Sequence, residues 1–229
     1  MSFTTLIKAR VFQCALFACL IVGTAPACAH PHVFIDMHAD FGFTQDHKLS
    51  TLTIKWEFDE FYSAFAVQDF KKDANGNYKQ ADLDSVLKDN LDNLKDPEWH
   101  YFATLKQSGK TLTFGAAKPL SASYDKKSGR FAISFSLPLT TPVIPGAADP
   151  VLAQIYDPTF YISIDFVKDA PVTLSGAGAT DCTKDLKIPD AEKIWSKLPP
   201  SAFSGGDFNA GAGFGANFAT TVTLSCPAQ

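Results

Sequence analysis

The side chains best suited to bind a ligand are concentrated around residue 30. Three of the five histidines, His30, His32 and His38, fall between residues 30 and 38, and Asp36 lies among them. Imidazole nitrogens bind zinc, nickel, cobalt and copper, and a nearby carboxylate can ligate the ion or orient a ring. The pattern predicts a transition-metal site formed by His30, His32, Asp36 and His38. The alternative interpretation is a solvated chain end that happens to contain histidine.

The first 29 residues have the pattern of a cleavable secretory signal. Lys8 and Arg10 precede an apolar run over residues 11–23, which is too short to span a bilayer comfortably, and the small residues at 27–29 fit a signal-peptidase site. We therefore expect residues 1–29 to be removed and residues 30–229 to form a single periplasmic domain. His30 would then also carry the free α-amine.

A site here must use imidazoles, with or without the α-amine of His30, because Pro31 excludes one familiar geometry. A histidine at the third position of a chain end can form a square-planar copper or nickel site only if the second residue supplies a backbone amide nitrogen. Proline has no N–H to deprotonate.

Charge and hydropathy exclude two classes of partner. The chain contains 20 basic and 24 acidic residues, and the signal removes only basic ones, so nucleic acid is not expected as a partner. After residue 29 no apolar run approaches the ~20 residues that cross a membrane, so no transmembrane segment is expected in the mature chain.

Two cysteines remain once the signal is removed. Cys182 and Cys226 form an even pair in an oxidising compartment, which predicts a disulfide between them.

The elements that must position these residues are mainly strands. Alternating polarity and β-branched or aromatic residues predict strands at His32–Phe41, Leu49–Phe58, Trp99–Lys106, Thr111–Ala116, Arg130–Leu137, Val151–Tyr156, Phe160–Phe166 and Thr220–Cys226. In the first strand, Val33, Ile35, Met37 and Ala39 share one face and the histidines and aspartates the other. We predict an α+β fold with a mainly antiparallel β-sheet or sandwich core.

Helical spacing of apolar residues interrupts this strand pattern. Phe61 and Phe65, and then Leu83, Leu87 and Leu91, predict a helix–loop–helix insertion over about residues 59–95. A short helix is also predicted at Asp190–Lys197.

The loop at residues 71–82, between the two predicted helices, resembles a calcium-binding loop. Asp73, Asn75 and Gly76 stand at its third, fifth and sixth positions, but Lys71 occupies the first and Asp82 the twelfth. An ammonium group at the first position removes a ligand and repels the cation. We expect the loop to keep its turn and to have lost tight calcium binding.

Several short sequences occur in order through residues 30–226, and together they resemble the domain-of-unknown-function 1007 family. They include His30-Pro31-His32-Val33-Phe34-Ile35-Asp36, Trp56-Glu57-Phe58-Asp59-Glu60-Phe61, Phe135-Ser136-Leu137-Pro138-Leu139, and Tyr156-Asp157-Pro158. The resemblance implies a small periplasmic component of uncharacterised ABC-type or nickel, cobalt and zinc transport systems, working with an inner-membrane metal permease. It also carries over the family's opening motif to His30, His32 and Asp36, and singles out Asp59 and Asp157.

These observations predict a non-enzymatic periplasmic protein that captures zinc, nickel or cobalt and supports its transport by a permease. One alternative is a copper enzyme with an amino-terminal histidine brace, which needs another histidine such as His100 close to His30. Another is a structural or interaction module that binds no metal.

Overall fold

The computed structural model describes residues 31–198 and 213–227. Apart from Leu198, these residues belong to one compact unit. The predicted signal, residues 1–29, and the predicted ligand His30 lie outside the described residues.

The described chain is built around two β-sheets. The strands are β1 (Val33–Phe43), β2 (Leu49–Phe58), β3 (Ala103–Gln107), β4 (Lys110–Thr111), β5 (Lys118–Asp125), β6 (Arg130–Val143), β7 (Val151–Ile155), β8 (Ile162–Phe166), β9 (Val172–Ser175), β10 (Thr183–Lys187) and β11 (Thr221–Ser225). The first sheet has the order β5-β6-β2-β1-β8, with β9 also pairing with β1, and the second has the order β10-β11-β7-β3-β4. Only β8 and β9 run parallel to their neighbour β1; the other pairs are antiparallel.

The two sheets share one hydrophobic core. β1 and β2 alternate between buried and more exposed residues, as expected when one face of a sheet is covered. Trp56 of β2 contacts Phe135 in its own sheet and Phe102 next to the second sheet. Leu105, Val151 and other buried residues of the second sheet belong to the same cluster. The predicted α+β fold with a mainly antiparallel sheet core is confirmed.

The part of the chain that the structure describes contains three α-helices: α1 (Glu60–Ala66), α2 (Gln80–Leu94) and α3 (Ala191–Trp195). α2 buries Leu83, Leu87, Leu91 and Leu94 and packs against β5. Among the described residues, no helix is long and apolar enough to cross a membrane.

Two predicted strands differ from the structure. The strand predicted at Trp99–Lys106 begins only at Ala103, because His100, Tyr101 and Phe102 have φ angles of 45°, 55° and 57° and form a left-handed turn.

In the strand predicted at Thr111–Ala116, Thr111 ends β4, and the residues after it form a segment that passes from one sheet to the other. The backbone N–H of Leu112 donates to Leu105 in the second sheet, whereas the N–H of Gly115 donates to Pro138 in the first sheet. A segment that bonds to two different sheets within four residues cannot form a regular strand of either sheet.

The predicted disulfide between Cys182 and Cys226 is confirmed. It lies at the end of the antiparallel pair formed by β10 and β11, in which Thr183 is opposite Ser225. Cys226 is 2% exposed and belongs to the hydrophobic core.

Candidate functional site

The predicted ligands that the structure describes lie along β1 or directly before it. Val33, Ile35, Met37 and Ala39 are buried, and the residues between them are more exposed. This places Asp36 and His38 on the outer face of the sheet, with His32 exposed just before the strand. The predicted assignment of the two faces of this strand is therefore confirmed.

Strand geometry separates these side chains from one another. A strand rises 3.2–3.4 Å per residue, so His32 and His38 are about 20 Å apart along β1. Asp36 is about 13 Å from His32 by the same measure. A metal ion bound by the His32 imidazole at about 2 Å is therefore too far from His38 to be bound by both residues. The predicted ligands are thus spread along the length of β1. Of those that the structure describes, His32 is the one next to His30 in the sequence.

His32 is held at the beginning of β1 by β8. Its backbone N–H donates to the carbonyl oxygen of Tyr161 at 2.8 Å. Its imidazole lies 4.6 Å from the Tyr161 ring, centroid to centroid, with the planes tilted by 35°. Tyr161 is 48% exposed, so the paired rings are at the surface.

Asp36 is bound by an arginine. Arg130 Nη1 lies 2.7 Å from Asp36 Oδ2 and 3.1 Å from Glu57 Oε1. The same guanidinium donates from Nε to the carbonyl oxygen of Phe58 at 2.7 Å and from Nη2 to that of Glu57 at 2.9 Å. A cation at Asp36 would have to compete with this guanidinium, which is already bonded to four oxygen atoms.

His38 has a different environment. Its Nδ1 is 3.4 Å from the carbonyl oxygen of Ala170, and its neighbour across the β1–β2 ladder is Lys55. Next along the face, Asp40 accepts hydrogen bonds from Thr173 and Ser175, both at 2.6 Å. A lysine beside His38 and an aspartate satisfied by hydroxyl groups do not favour a metal ion there.

Within residues 31–198 and 213–227, no group of three or more histidine, cysteine, aspartate and glutamate side chains is arranged to hold a metal ion. His30 is outside these ranges. The geometry of a site that includes His30 therefore stays a prediction, as does the position of His100 relative to His30. His100 itself is exposed in the left-handed turn that precedes β3.

Asp59 joins α1 to β1. Its Oδ1 accepts from the N–H of Tyr62 at 2.9 Å and so caps the amino terminus of the helix. Its Oδ2 accepts from the N–H of Phe34 at 2.8 Å. Both carboxylate oxygens bond to backbone groups, which gives Asp59 a structural role that the sequence could only suggest.

Asp157 organises the turn before β8. It is 3% exposed, and its Oδ1 accepts from the N–H and the hydroxyl of Thr159, both at 2.8 Å. Its Oδ2 accepts from the N–H of Ile162 at 2.9 Å. These bonds form a structural turn, in agreement with the Asp-Pro pattern at this position.

The calcium-like loop at residues 71–82 closes on itself. Asp73 Oδ1 accepts from the N–H groups of Asn75 and Asn77 at 2.8 and 2.9 Å, and Gly76 adopts a φ of 76°. The bond from Asn77 is the main reason why the pKa of Asp73 is lowered. Lys126 Nζ donates to the carbonyl oxygen of Asn75 at 3.2 Å. Groups of the protein itself thus bond to the carboxylate of Asp73, at a position that would otherwise ligate calcium, and Lys126 brings an ammonium group to the backbone of the loop.

A family model described as protein of unknown function (DUF1007) matches residues 15–226. This match covers most of the chain. The chain belongs to the DUF1007 family. An uncharacterized protein from Haemophilus influenzae is 25% identical over 199 residues, which cover 86% of this chain and 91% of that relative.

The DUF1007 chain also has two exposed aromatic side chains on α1. Phe61 and Phe65 of α1 are 83% and 62% exposed. The buried residue of α1 is Ser63, which accepts from the N–H of Phe131 at 2.8 Å and donates to the carbonyl oxygen of Phe58 at 3.3 Å. The need to satisfy these backbone groups turns the serine inward and both phenylalanines outward.

Proposed function

We propose that this DUF1007 protein binds a divalent transition metal, zinc, nickel or cobalt, at its amino terminus in the periplasm and supplies it to an inner-membrane permease. The observation that carries the proposal is the position of His32. It is exposed, directly follows His30-Pro31, and is held at the start of β1 by Tyr161.

The proposed site consists of the imidazoles of His30 and His32 and the α-amine that signal cleavage would create at His30. Nitrogen donors of this kind suit zinc, nickel and cobalt. The anchoring of His32 to Tyr161 limits the positions that its ring can adopt, which reduces the entropy lost on binding. A site with few protein ligands and an open side can exchange its ion, as a delivery protein requires.

Asp36 and His38 are assigned no direct bond to this ion. The rise of β1 keeps both away from His32, and Arg130 occupies Asp36. His38 therefore provides a matched control, because it is a histidine on the same face of the sheet but outside the proposed site.

Isothermal titration with zinc, nickel and copper tests the proposal on the exported protein. We expect His30→Ala/His32→Ala to weaken binding at least 100-fold and His38→Ala to leave it within about threefold, with acidification weakening the wild-type affinity because metal-bound imidazole must be deprotonated. The proposal is wrong if the wild-type protein binds none of these ions, or if the double variant binds as tightly as the wild type.

A second candidate function is an interaction module without metal, and the exposure of Phe61 and Phe65 favours it. Exposed aromatic residues are enriched at protein interfaces. If titration detects no metal while the substitutions Phe61→Ser and Phe65→Ser disturb the physiological role of the protein, this second candidate replaces the first.

A further inference from the structure

Among the described residues, no strand covers one side of the β8 backbone. The N–H of His32 bonds to the carbonyl of Tyr161, and the N–H of Val167 bonds to the carbonyl of Met37, so residues 161 and 167 both face β1. Alternate residues of a strand direct their backbone groups to the same side. Ile162, Ile164 and Phe166 therefore direct theirs away from β1. We call this side the β8 edge.

The other edges of the same sheet are each protected at one or more positions. On β9, the carbonyl oxygen of Val172 accepts from Lys184 Nζ. On β5, the carbonyl oxygen of Ala122 accepts from Gln80 Nε2 of α2 at 2.8 Å, and Pro119 lies in the strand. Lysine, proline and a covering helix are the usual means by which proteins prevent unwanted strand pairing.

The β8 edge is protected only at its beginning. The N–H of Ile162 donates to Asp157 Oδ2. Among the described residues, no side chain or backbone group bonds to the outward N–H and carbonyl of Ile164. Within the described residues, this central position of β8 is thus open for pairing.

A small cavity lies beside part of this edge. It is lined by the consecutive residues Ile162–Asp165 together with Phe160, Phe218 and Ala219. Consecutive strand residues point to opposite faces of a sheet, so a cavity that touches all four lies beside the strand. Ile162, Ile164 and Phe166 are each only partly buried, which leaves an apolar strip along one side of it.

The negative charge of Asp165 on the β8 edge favours a partner with a basic side chain. Asp165 is exposed and accepts from the Ser163 hydroxyl at 2.8 Å, and no basic side chain of the described residues pairs with it. Asp36, its neighbour on β1, already has Arg130. Opposite charges on adjacent strands stabilise pairing, so a strand added here should carry a basic residue beside Asp165.

We infer that the β8 edge binds an extended peptide segment of a partner protein as an added strand, with apolar residues beside Ile164 and a lysine or arginine beside Asp165. The main-chain bonds of such strand addition provide affinity, and the alternating side chains provide specificity. This inference stands on β8 alone and does not depend on metal binding.

The probe is a fluorescein-labelled peptide, Thr-Val-Lys-Val-Lys-Val-Thr, measured by fluorescence polarisation. Its controls are a twin N-methylated at the central valine, which cannot donate a backbone hydrogen bond there, and a twin with glutamate in place of lysine. We expect the labelled peptide to bind and both twins to bind at least tenfold more weakly.

Variants of the protein test the site itself. Ile164→Pro removes the outward N–H, a change that an edge position tolerates because this group does not pair with β1, and we expect at least a tenfold loss of peptide affinity. Ile164→Val should bind as the wild type does. Asp165→Lys should reverse the preference between the lysine and glutamate peptides.

The inference is overturned if the peptide does not bind at millimolar concentration, or if the N-methylated twin binds equally well. The comparison between the peptide and its N-methylated twin uses the wild-type protein, so it tests the inference even if Ile164→Pro fails to fold. A concentration-dependent dimer in sedimentation experiments that the peptide cannot dissociate would assign the edge to a second copy of the chain and would equally overturn it.

Discussion

At the scale of single residues, Asp59 bonds to two elements at once. Its carboxylate caps α1 and also accepts from the N–H of Phe34 in β1. We predict that Asp59→Ala lowers the free energy of unfolding by about 1–3 kcal/mol, because a helix cap and a second backbone partner are lost together. Urea denaturation measures this. Asp59→Asn, which can still cap, should lose less, and an unchanged stability for Asp59→Ala would contradict the structural role.

Arg130 is the second residue with several partners. Arg130→Met would leave Asp36, Glu57 and the carbonyl of Phe58 without their donor, so we predict a loss of about 1–3 kcal/mol of unfolding free energy. Arg130→Lys keeps the charge but cannot reach all the acceptors of a planar guanidinium, and an intermediate loss is expected. If Arg130→Lys is as stable as the wild type, only the charge matters at this position, and if Arg130→Met is as stable as the wild type, the prediction is wrong.

Asp46 makes stability depend on acid pH. Its hydrogen bond with Lys48, followed by that with the Thr44 hydroxyl, lowers its pKa to about 2. A carboxylate with a lowered pKa stabilises the fold above its unfolded pKa, and this contribution disappears as the pH falls toward 2. We predict that Asp46→Asn makes the denaturation midpoint less sensitive to pH between 4 and 2. Added salt should have a similar effect, because the pair is exposed. Parallel pH profiles for the variant and the wild type would contradict this prediction.

At the scale of elements, a glycine allows the β1–β2 hairpin to dock. A Cβ atom on Gly178 would lie 1.9 Å from the carbonyl oxygen of Thr44 and 2.8 Å from the N–H nitrogen of His47. We predict that Gly178→Ala destabilises the protein by about 1–3 kcal/mol, because backbone atoms must move to admit the methyl group. Thermal unfolding checks this against Gly146→Ala, whose Cβ would meet no atom closer than 4.0 Å. Equal thermal unfolding midpoints for the two variants would contradict the prediction, because they would show that the hairpin backbone shifts at little cost.

Periodicity predicted the central strands and the edge strand β8, but it missed three other strands at sheet edges. β1 and β2 bury one face completely, so their alternation is clear in the sequence. β5 and β10 have few buried residues, and β9 is only four residues long, so none of the three was predicted. The conformation of an edge strand depends on the strand that pairs with it. That partner can be distant in the sequence, so the local pattern of residues does not reveal it.

The candidate site shows the same division. The outward face of β1 was predicted, because it depends on local alternation only. The bond between Asp36 and Arg130 was not, since the two residues are 94 positions apart and meet through the pairing of β1, β2 and β6. The environment of a predicted ligand is thus a tertiary property even where its orientation is local.

At the scale of the whole molecule, a disulfide bond links two distant positions in the later part of the chain. The Cys182–Cys226 disulfide spans a sequence separation of 44. We predict that Cys182→Ala/Cys226→Ala lowers the free energy of unfolding by about 2–4 kcal/mol, because the unfolded chain regains the entropy of an open loop. Denaturation with and without reductant measures this. The double variant should not respond to reductant, and a wild-type protein that is equally insensitive would contradict the prediction.

The parallel pairing of β8 and β9 with β1 has a consequence for how the molecule is assembled. β2 follows β1 directly, so one side of β1 can be completed early in synthesis. Its other side must wait for residues 162–175, more than a hundred positions later. Contacts at this separation slow folding, and a strand left half-paired is exposed to aggregation. The strand that carries His32, Asp36 and His38 is therefore among the first to be made and among the last to be finished.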